Sequence, residues 1–406
     1  MPIVRVFTMI TKLIQRCRGL ERNLFLFLAG MALLGASSGM METTFNNYVS
    51  DIFNLGADAR GVLEFPRELP GFLTALFAGL LFFLAETRIA GFSALAVGFG
   101  LLGLAFIGPH WAGMLLFLTL WSAGSHLMMP IRSSIAMELA TETQRGRRLG
   151  QIASTSIAAS IAGCLVVWVT MRWLHASYRL IFMLGGLTAI AAAVFLFAMR
   201  LPNAHLQRPK FVWNRHYWLY YVLAFLFGAR KQVFITFGPW VLIRIFHQQA
   251  WIFAQLWIAA AVLGIFFQPA LGRAIDRFGE RAVLLADSVL ILLVCLGYGF
   301  AHCLPVHAAA LGLLYACFVA DNLLFGVNMA RDTYLAKIVV KKEHLAPTLS
   351  LGISINHAVS MSIPTVGGLM WIRYGHSSVF LATAGIAVLM GIFSTMVRTP
   401  LPRERL

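Results

Sequence analysis

Long apolar runs alternate with short polar punctuation from near the start of the chain to near its end. Twelve of these runs cover residues 24–48, 60–85, 89–109, 111–138, 149–173, 178–199, 216–245, 251–272, 281–302, 306–336, 347–372 and 377–397. Each is about 20 residues or more, the length a helix needs to cross the hydrocarbon of a bilayer. The pattern predicts an all-α membrane protein with twelve transmembrane helices. The connections are too short to hold a soluble catalytic domain. The longest, residues 201–215, is basic, carries Pro202 and Pro209, and divides the chain into two six-span halves, 1–200 and 216–406.

The halves repeat one another. Leu33–Phe53 (LLGASSGMMETTFNNYVSDIF) aligns with Leu226–Phe246 (LFGARKQVFITFGPWVLIRIF), 193 positions later. Identical pairs include Leu33/Leu226, Gly35/Gly228, Ala36/Ala229, Thr43/Thr236, Ile52/Ile245 and Phe53/Phe246. The segment around Arg132 likewise matches that around Arg331, and Arg172–His175 matches Arg373–His376. A greasy chain that is one half written twice points to a transporter built from two parallel membrane repeats.

Composition and charge sharpen this picture. The chain is 59% hydrophobic and 12% charged, which excludes a soluble globular domain. With both termini inside, the cytoplasmic segments hold 22 of the 32 Lys and Arg residues and the outer segments 5, among them Arg60. That asymmetry predicts cytoplasmic N- and C-termini in a bacterial inner membrane. It also explains the net charge of +16 as attraction to an anionic inner leaflet rather than to nucleic acid. The basic stretch Lys12–Arg22 precedes a full span, unlike a cleavable signal. The five cysteines lack CxxC spacing and read as small core residues. No nucleotide-binding or hydrolase motif occurs and the histidines are scattered, so neither an enzyme, a cofactor nor a metal is expected.

The turn between spans 8 and 9 reads GRAIDRFGER (Gly272–Arg281). It resembles the G-x-x-x-D-R-x-G-R/K signature of the major facilitator superfamily, and the twelve spans in two parallel halves extend the resemblance over essentially the whole chain. The resemblance implies two pseudo-symmetric six-helix bundles. It also implies that Asp276 caps the cytoplasmic end of a neighbouring helix, and that Arg277 and Arg281 join a charge network closing that face in one state. The first half departs from the pattern, reading GLLFFLAETR (Gly79–Arg88) with Glu86 and Arg88 but no Asp-Arg-x-Gly.

Charges inside spans carry the functional information, because an ionisable side chain at mid-bilayer normally faces a cavity or a partner. In the superfamily, spans 1, 4, 7 and 10 line the central cavity. Most midspan polar residues fall on these: Glu42, Asn46 and Asn47; His126 and Arg132; Arg230, Lys231 and Gln232; Asp321, Asn322, Asn328, Arg331 and Asp332. Span 11 adds Asn356 and His357. Arg230 and Lys231 lie near mid-membrane on a helix and about 100° apart, so they point differently. One is expected to pair with an acid such as Asp321 or Glu42, and the other to face the cavity. Arg132 and Arg331 lie nearer the cytoplasmic end. They read either as substrate contacts or as gate residues, Arg331 joining Asp276 and Arg132 pairing with Glu138 or Glu86. Glu42 reads as a proton carrier, as does Asp321, or as a fixed ion pair with Arg230 or Lys231. Glu64, Arg67 and Glu68 share one helix face, in a stretch whose hydrogen-bond ladder Pro66 and Pro70 break. They read as an outer gate, or as a kinked helix end whose charges reach the interface. The small-residue run Gly150–Gly163 reads as a packing surface.

The resulting expectation is a monomeric secondary active transporter that moves a small organic solute, anionic if the midspan cations contact it, by proton-coupled alternating access. Its partners would be that solute, protons and membrane lipids. Two alternatives stay open: a flippase for lipids or lipid-linked solutes on the same fold, and a transporter-like receptor that moves nothing.

Overall fold

A computed structural model describes residues 2–73, 84–140, 145–201 and 212–398. These are helical almost throughout, as apolar spans must be where no water can satisfy the backbone. The first six expected spans map to α1 (Pro2–Phe53), α2 (Ala57–Val62) with α3 (Glu64–Phe72), α4 (Glu86–Phe106), α5 (Trp111–Glu138), α6 (Arg145–Trp173) and α7 (Tyr178–Phe197). The second six map to α8 (Trp218–Arg244), α9 (Ala250–Phe300), α10 (His307–Leu324) with α11 (Asn328–Ile338), α12 (Leu345–Tyr374) and α13 (His376–Thr395). Among the described residues, eight helical stretches are long and apolar enough to cross a membrane.

Three breaks matter for function. Span 2 is interrupted at Leu63, between α2 and α3, three residues before Pro66, whose missing N–H leaves the carbonyl of Val62 without its helical partner. Residues 74–83, the rest of that expected span, lie outside the described residues, as do 202–211 of the central connection. The long run α9 is folded at Gly279, with φ 79° and ψ 164°, into the two arms expected as spans 8 and 9. A side chain there would be strained, which gives the glycine of the Gly272–Arg281 motif its physical reason. Span 10 is broken by a tight 3-10 turn at Phe325–Val327, just past Asp321.

Chain contacts define two compact units. Unit 1 comprises Met1–Met41, Leu76–Val166 and Ser177–Arg208. Its core gathers Phe27, Met31, Ile89, Ile131, Ile135 and Leu196. Here α1 and α6 approach backbone to backbone, and a Cβ on Gly163 would strike the carbonyl of Ala36. The Gly150–Gly163 run therefore packs as its small residues suggest.

Unit 2 comprises Glu42–Ala75, Val167–Ala176 and Pro209–Leu406. It is larger than the second half of the sequence. The end of α1 from Glu42 to Phe53, together with α2, α3 and the end of α6, packs with the helices of the second repeat. The close fit of α2 on α12 needs Gly61, because a Cβ there would overlap the backbone of Pro364. In the orientation read from Lys and Arg, this end of unit 2 is the outer one.

Candidate functional site

Within unit 2 the charged side chains form two groups around α8. The inner group centres on Arg230, which is fully buried. Its guanidinium lies 3.6 Å from Asp321 on α10 and 3.7 Å from Asp287 on the second arm of α9. It also donates to the carbonyl of Leu324 at 3.2 Å. Arg230 is thus the paired member of the Arg230–Lys231 doublet.

Lys231 points elsewhere and is half-buried. It makes no ion pair within 4.0 Å among the described residues, and its electrostatic neighbours are Glu68, Arg67, Glu64 and Arg331. Arg331, on α11, is only 5% exposed. It donates to the carbonyl of Leu223 at 3.1 Å and lies 3.9 Å from the ring centroid of Phe227. No carboxylate comes within ion-pair distance of it among the described residues. Leu223, Phe227 and Lys231 recur every four residues along one face of α8. Arg331 thus lies over Phe227, which the paired Arg230 also approaches at 4.9 Å, and Lys231 stands one turn further along that face. Neither Lys231 nor Arg331 is ion-paired among the described residues.

The outer group centres on Glu64, whose carboxylate is wholly buried. It accepts from Arg60 at 2.6 Å, from Arg67 at 2.9 and 3.1 Å, and from Gln232 of α8 at 2.5 Å. Arg60 also donates to Asn46 at 3.0 and 2.9 Å. One turn on, Glu68 meets His357 of α12 at 2.8 Å. Nearer the loops, Asn47 donates to the carbonyl of Gln248 at 2.8 Å, and Arg244 donates to Asn54 at 2.8 Å. Arg172 stacks over Trp251 at 5.0 Å. Spans 1, 2 and 5 are thereby tied to spans 7, 8 and 11, through buried contacts at Glu64 and Glu68 and through more exposed ones at Arg172 and Arg244. Of the two readings of Glu64, Arg67 and Glu68, these charges take the buried one and do not reach an interface. Arg60, expected in an outer loop, is 1% exposed because Glu64 and Asn46 hold it inside.

Several sequence expectations need correction. Glu42 pairs with neither Arg230 nor Lys231. Its neighbour is Arg67 at 3.9 Å, and 36% of its side chain stays accessible. Arg331 does not join Asp276, because its guanidinium turns inward onto Phe227. Arg132 is exposed and pairs with neither Glu138 nor Glu86 among the described residues. Ser134 on the same helix reaches Glu86 instead, at 2.7 Å. Asp276, Arg277 and Arg281 are exposed, and Asp276 caps no described helix. The buried acid of that turn is Glu280, which lies 2.5 Å from Lys337 at the end of α11. The fold at Gly279 restarts the helix at Glu280, where a carboxylate also suits the positive helix end.

The remaining expected residues are bonded locally. Asn322 donates to the carbonyl of Phe318 at 2.8 Å, Asp332 accepts from Asn328 at 3.0 Å, and Ser360 reaches Asn356 at 3.4 Å. In unit 1, His126 lies 2.9 Å from the hydroxyl of Ser122. Asp287 and Glu280 were missed from the sequence. Asp287 was legible, being the acid inside the apolar run after Arg281, whereas Glu280 looked like one more charge in a cytoplasmic turn.

The model of the Major Facilitator Superfamily matches residues 68–331. No curated protein matches the sequence. Solved structures share the fold. The nucleoside transporter NupG has a TM-score of 0.74 at 14% identity, covering 92% of this chain and 98% of its own. A bacterial homologue of the human lysosomal transporter Spinster, inward-facing and occupied, has a TM-score of 0.73 at 15% identity, covering 93% and 98%. A D-xylose–proton symporter has a TM-score of 0.68 at 15% identity, again covering 93% and 98%.

Proposed function

The chain belongs to the major facilitator superfamily, and from that premise we propose a secondary active transporter that moves a small organic anion across the inner membrane by proton-coupled alternating access. The observation that carries the anionic preference is the face of α8 bearing Phe227 and Lys231, with Arg331 over the Phe227 ring and neither cation ion-paired among the described residues. A buried cation is costly unless its charge is compensated. A substrate carboxylate or phosphate would supply that compensation when the site closes around it. Phe227 offers an apolar wall for the rest of the molecule, and Asn46, Asn322, Asn356 and His357 of the same unit are further candidate contacts. Arg230 then has a supporting part, held by Asp287 and Asp321.

For coupling, Glu42 is the leading proton carrier. It is partly accessible and held only loosely by Arg67. Asp321 is the second candidate, since it shares one guanidinium with Asp287. A D-xylose–proton symporter on this fold supports the coupling by analogy. Gating follows from contacts made in one state and broken in the other. The Glu64 cluster, with Arg67, Glu68 and His357, acts as the outer gate. The inner gate combines Asp276, Arg277 and Arg281, with Asp332 on α11 of the same unit.

Binding tests the anionic preference directly. Purified protein is screened by thermal shift against organic anions, cations and neutral solutes, alongside Lys231→Gln. Stabilisation by an anion that disappears in the variant is the expected result. Stabilisation only by neutral solutes, equal in both proteins, would contradict the reading.

A further inference from the structure

The outer corner of unit 2 brings together three side chains that the sequence keeps far apart. His302 and Cys303 lie in the turn Ala301–Cys303 that closes the second arm of α9. His376 opens α13 directly after Gly375, whose φ of 81° ends the preceding helix. His302 Nδ1 and His376 Nε2 are 3.2 Å apart. The two rings cross at 72° with centroids 4.6 Å apart, one edge toward the other ring, so they do not stack. On the opposite edge of His302, Nε2 lies 3.4 Å from Cys303 Sγ.

We propose that His302 and His376 form a binding site for a divalent late transition-metal ion of the zinc and nickel class. Two imidazole nitrogens on a tetrahedral zinc, each about 2.0–2.1 Å from the ion, lie about 3.3–3.4 Å apart. The observed spacing is within a few tenths of an ångström of that edge. A simple ring-to-ring hydrogen bond satisfies the same distance with the same His302 tautomer, and zinc titration separates the two. The Nε2–H of His302 donates to Cys303 sulfur, which fixes the tautomer with the Nδ1 lone pair free, as an outer-shell partner does for a ligating histidine. The His376 proton that would otherwise sit between the rings moves to its Nδ1, and Nε2 becomes the second donor. Water completes the coordination, since His302 is exposed and His376 half-exposed. Trp371, 5.6 Å from His376 between ring centroids, walls one side. Hard ions such as magnesium, which prefer oxygen ligands, are excluded by the donor set.

Both ligand-bearing turns belong to unit 2 and lie apart from the buried charges around α8. Bound metal would clasp the turn after α9 to the start of α13, independently of the transported solute. The test uses full-length, tag-free protein titrated with zinc chloride and nickel chloride by calorimetry, with magnesium chloride as control. We expect one zinc ion per chain and no magnesium binding. His302→Ala and His376→Ala should each weaken zinc binding by at least about tenfold, and Cys303→Ser by about tenfold through loss of ring orientation. Melting curves of the zinc-free variants should match the wild type, separating ligand loss from unfolding. No zinc binding at submillimolar ion, or one-ion binding that survives the double His302→Ala/His376→Ala substitution, would overturn the site. Unchanged affinity in Cys303→Ser would overturn the orienting part assigned to Cys303.

Discussion

Glu64→Gln is the most informative perturbation of the outer cluster. The amide keeps the volume of the side chain and one oxygen for Gln232, but removes the charge facing Arg60 and Arg67. Removing one partner of a buried ion pair costs about 3–5 kcal/mol, because the other charge is left uncompensated. The lower end applies here. Arg67 is 12% accessible and keeps Glu42 at 3.9 Å, so Arg60 bears most of the loss. Arg60 is 1% exposed, keeps Asn46, and lies 6.0 Å from the Trp240 ring, which offers little replacement charge. The penalty falls on the arrangement in which α2 and α3 are packed on α8 and α12. It is relieved when that seam opens and the guanidinium is hydrated. A penalty of about 3 kcal/mol corresponds to roughly a hundredfold rise in the open population, at about 1.4 kcal/mol per tenfold. Hydrogen–deuterium exchange in nanodiscs reads this directly, because amide exchange follows the open fraction. Amides of residues 57–72 should exchange far faster in the variant, while those of α4 and α7 stay at wild-type rates. Unchanged exchange at 57–72, or an equal acceleration throughout the chain, would refute the gate.

Other substitutions separate supporting from functional charges. Lys231→Gln should leave the melting temperature nearly unchanged and weaken binding of an anionic substrate by about 1.5–3 kcal/mol, the scale of a charged hydrogen bond, as thermal shift and uptake assays would read. Arg230→Gln should instead destabilise the protein by about 3–5 kcal/mol, because it strands Asp287 and Asp321, and would be seen as a lowered melting temperature whether or not ligand is present. Gly279→Ala should cost about 1–3 kcal/mol from backbone strain alone, since no atom lies within 4 Å of the added methyl, and thermal unfolding in detergent would measure it. Lys337→Met should leave the buried Glu280 uncompensated and raise cytoplasmic labelling of a cysteine placed nearby, an effect that Glu280→Gln in the same chain should suppress.

The architecture was legible because lipid imposes one strong rule. Apolar runs long enough to span must be helices, and the described helices fall on the expected runs, with residues 74–83 of the second lying outside the described residues. Leu63 and Gly279 were legible in part, through Pro66 and the glycine of the cytoplasmic motif. The site was legible by type and not by partner. Depth along a helix placed Arg230 and Asp321 together, since both sit near mid-membrane on inward-facing spans. It could not show that Asp287 would share Arg230, nor that Arg67 would hold Glu42, because rotation about the helix axis decides such contacts. The Asp276 motif misled in a specific way. Family resemblance describes a network made in one state, whereas Asp276 is exposed here and Glu280 takes the buried place. His302 and His376, 74 residues apart, had no local pattern linking them.

Proton-driven transport of an organic anion through a site that includes Lys231 is tested by proteoliposome uptake of the anion that most stabilises the protein, with and without an inward proton gradient. Accumulation should depend on the gradient, be lost in Lys231→Gln, and be reduced to exchange in Glu42→Gln. Accumulation that ignores the gradient and survives both substitutions would contradict it.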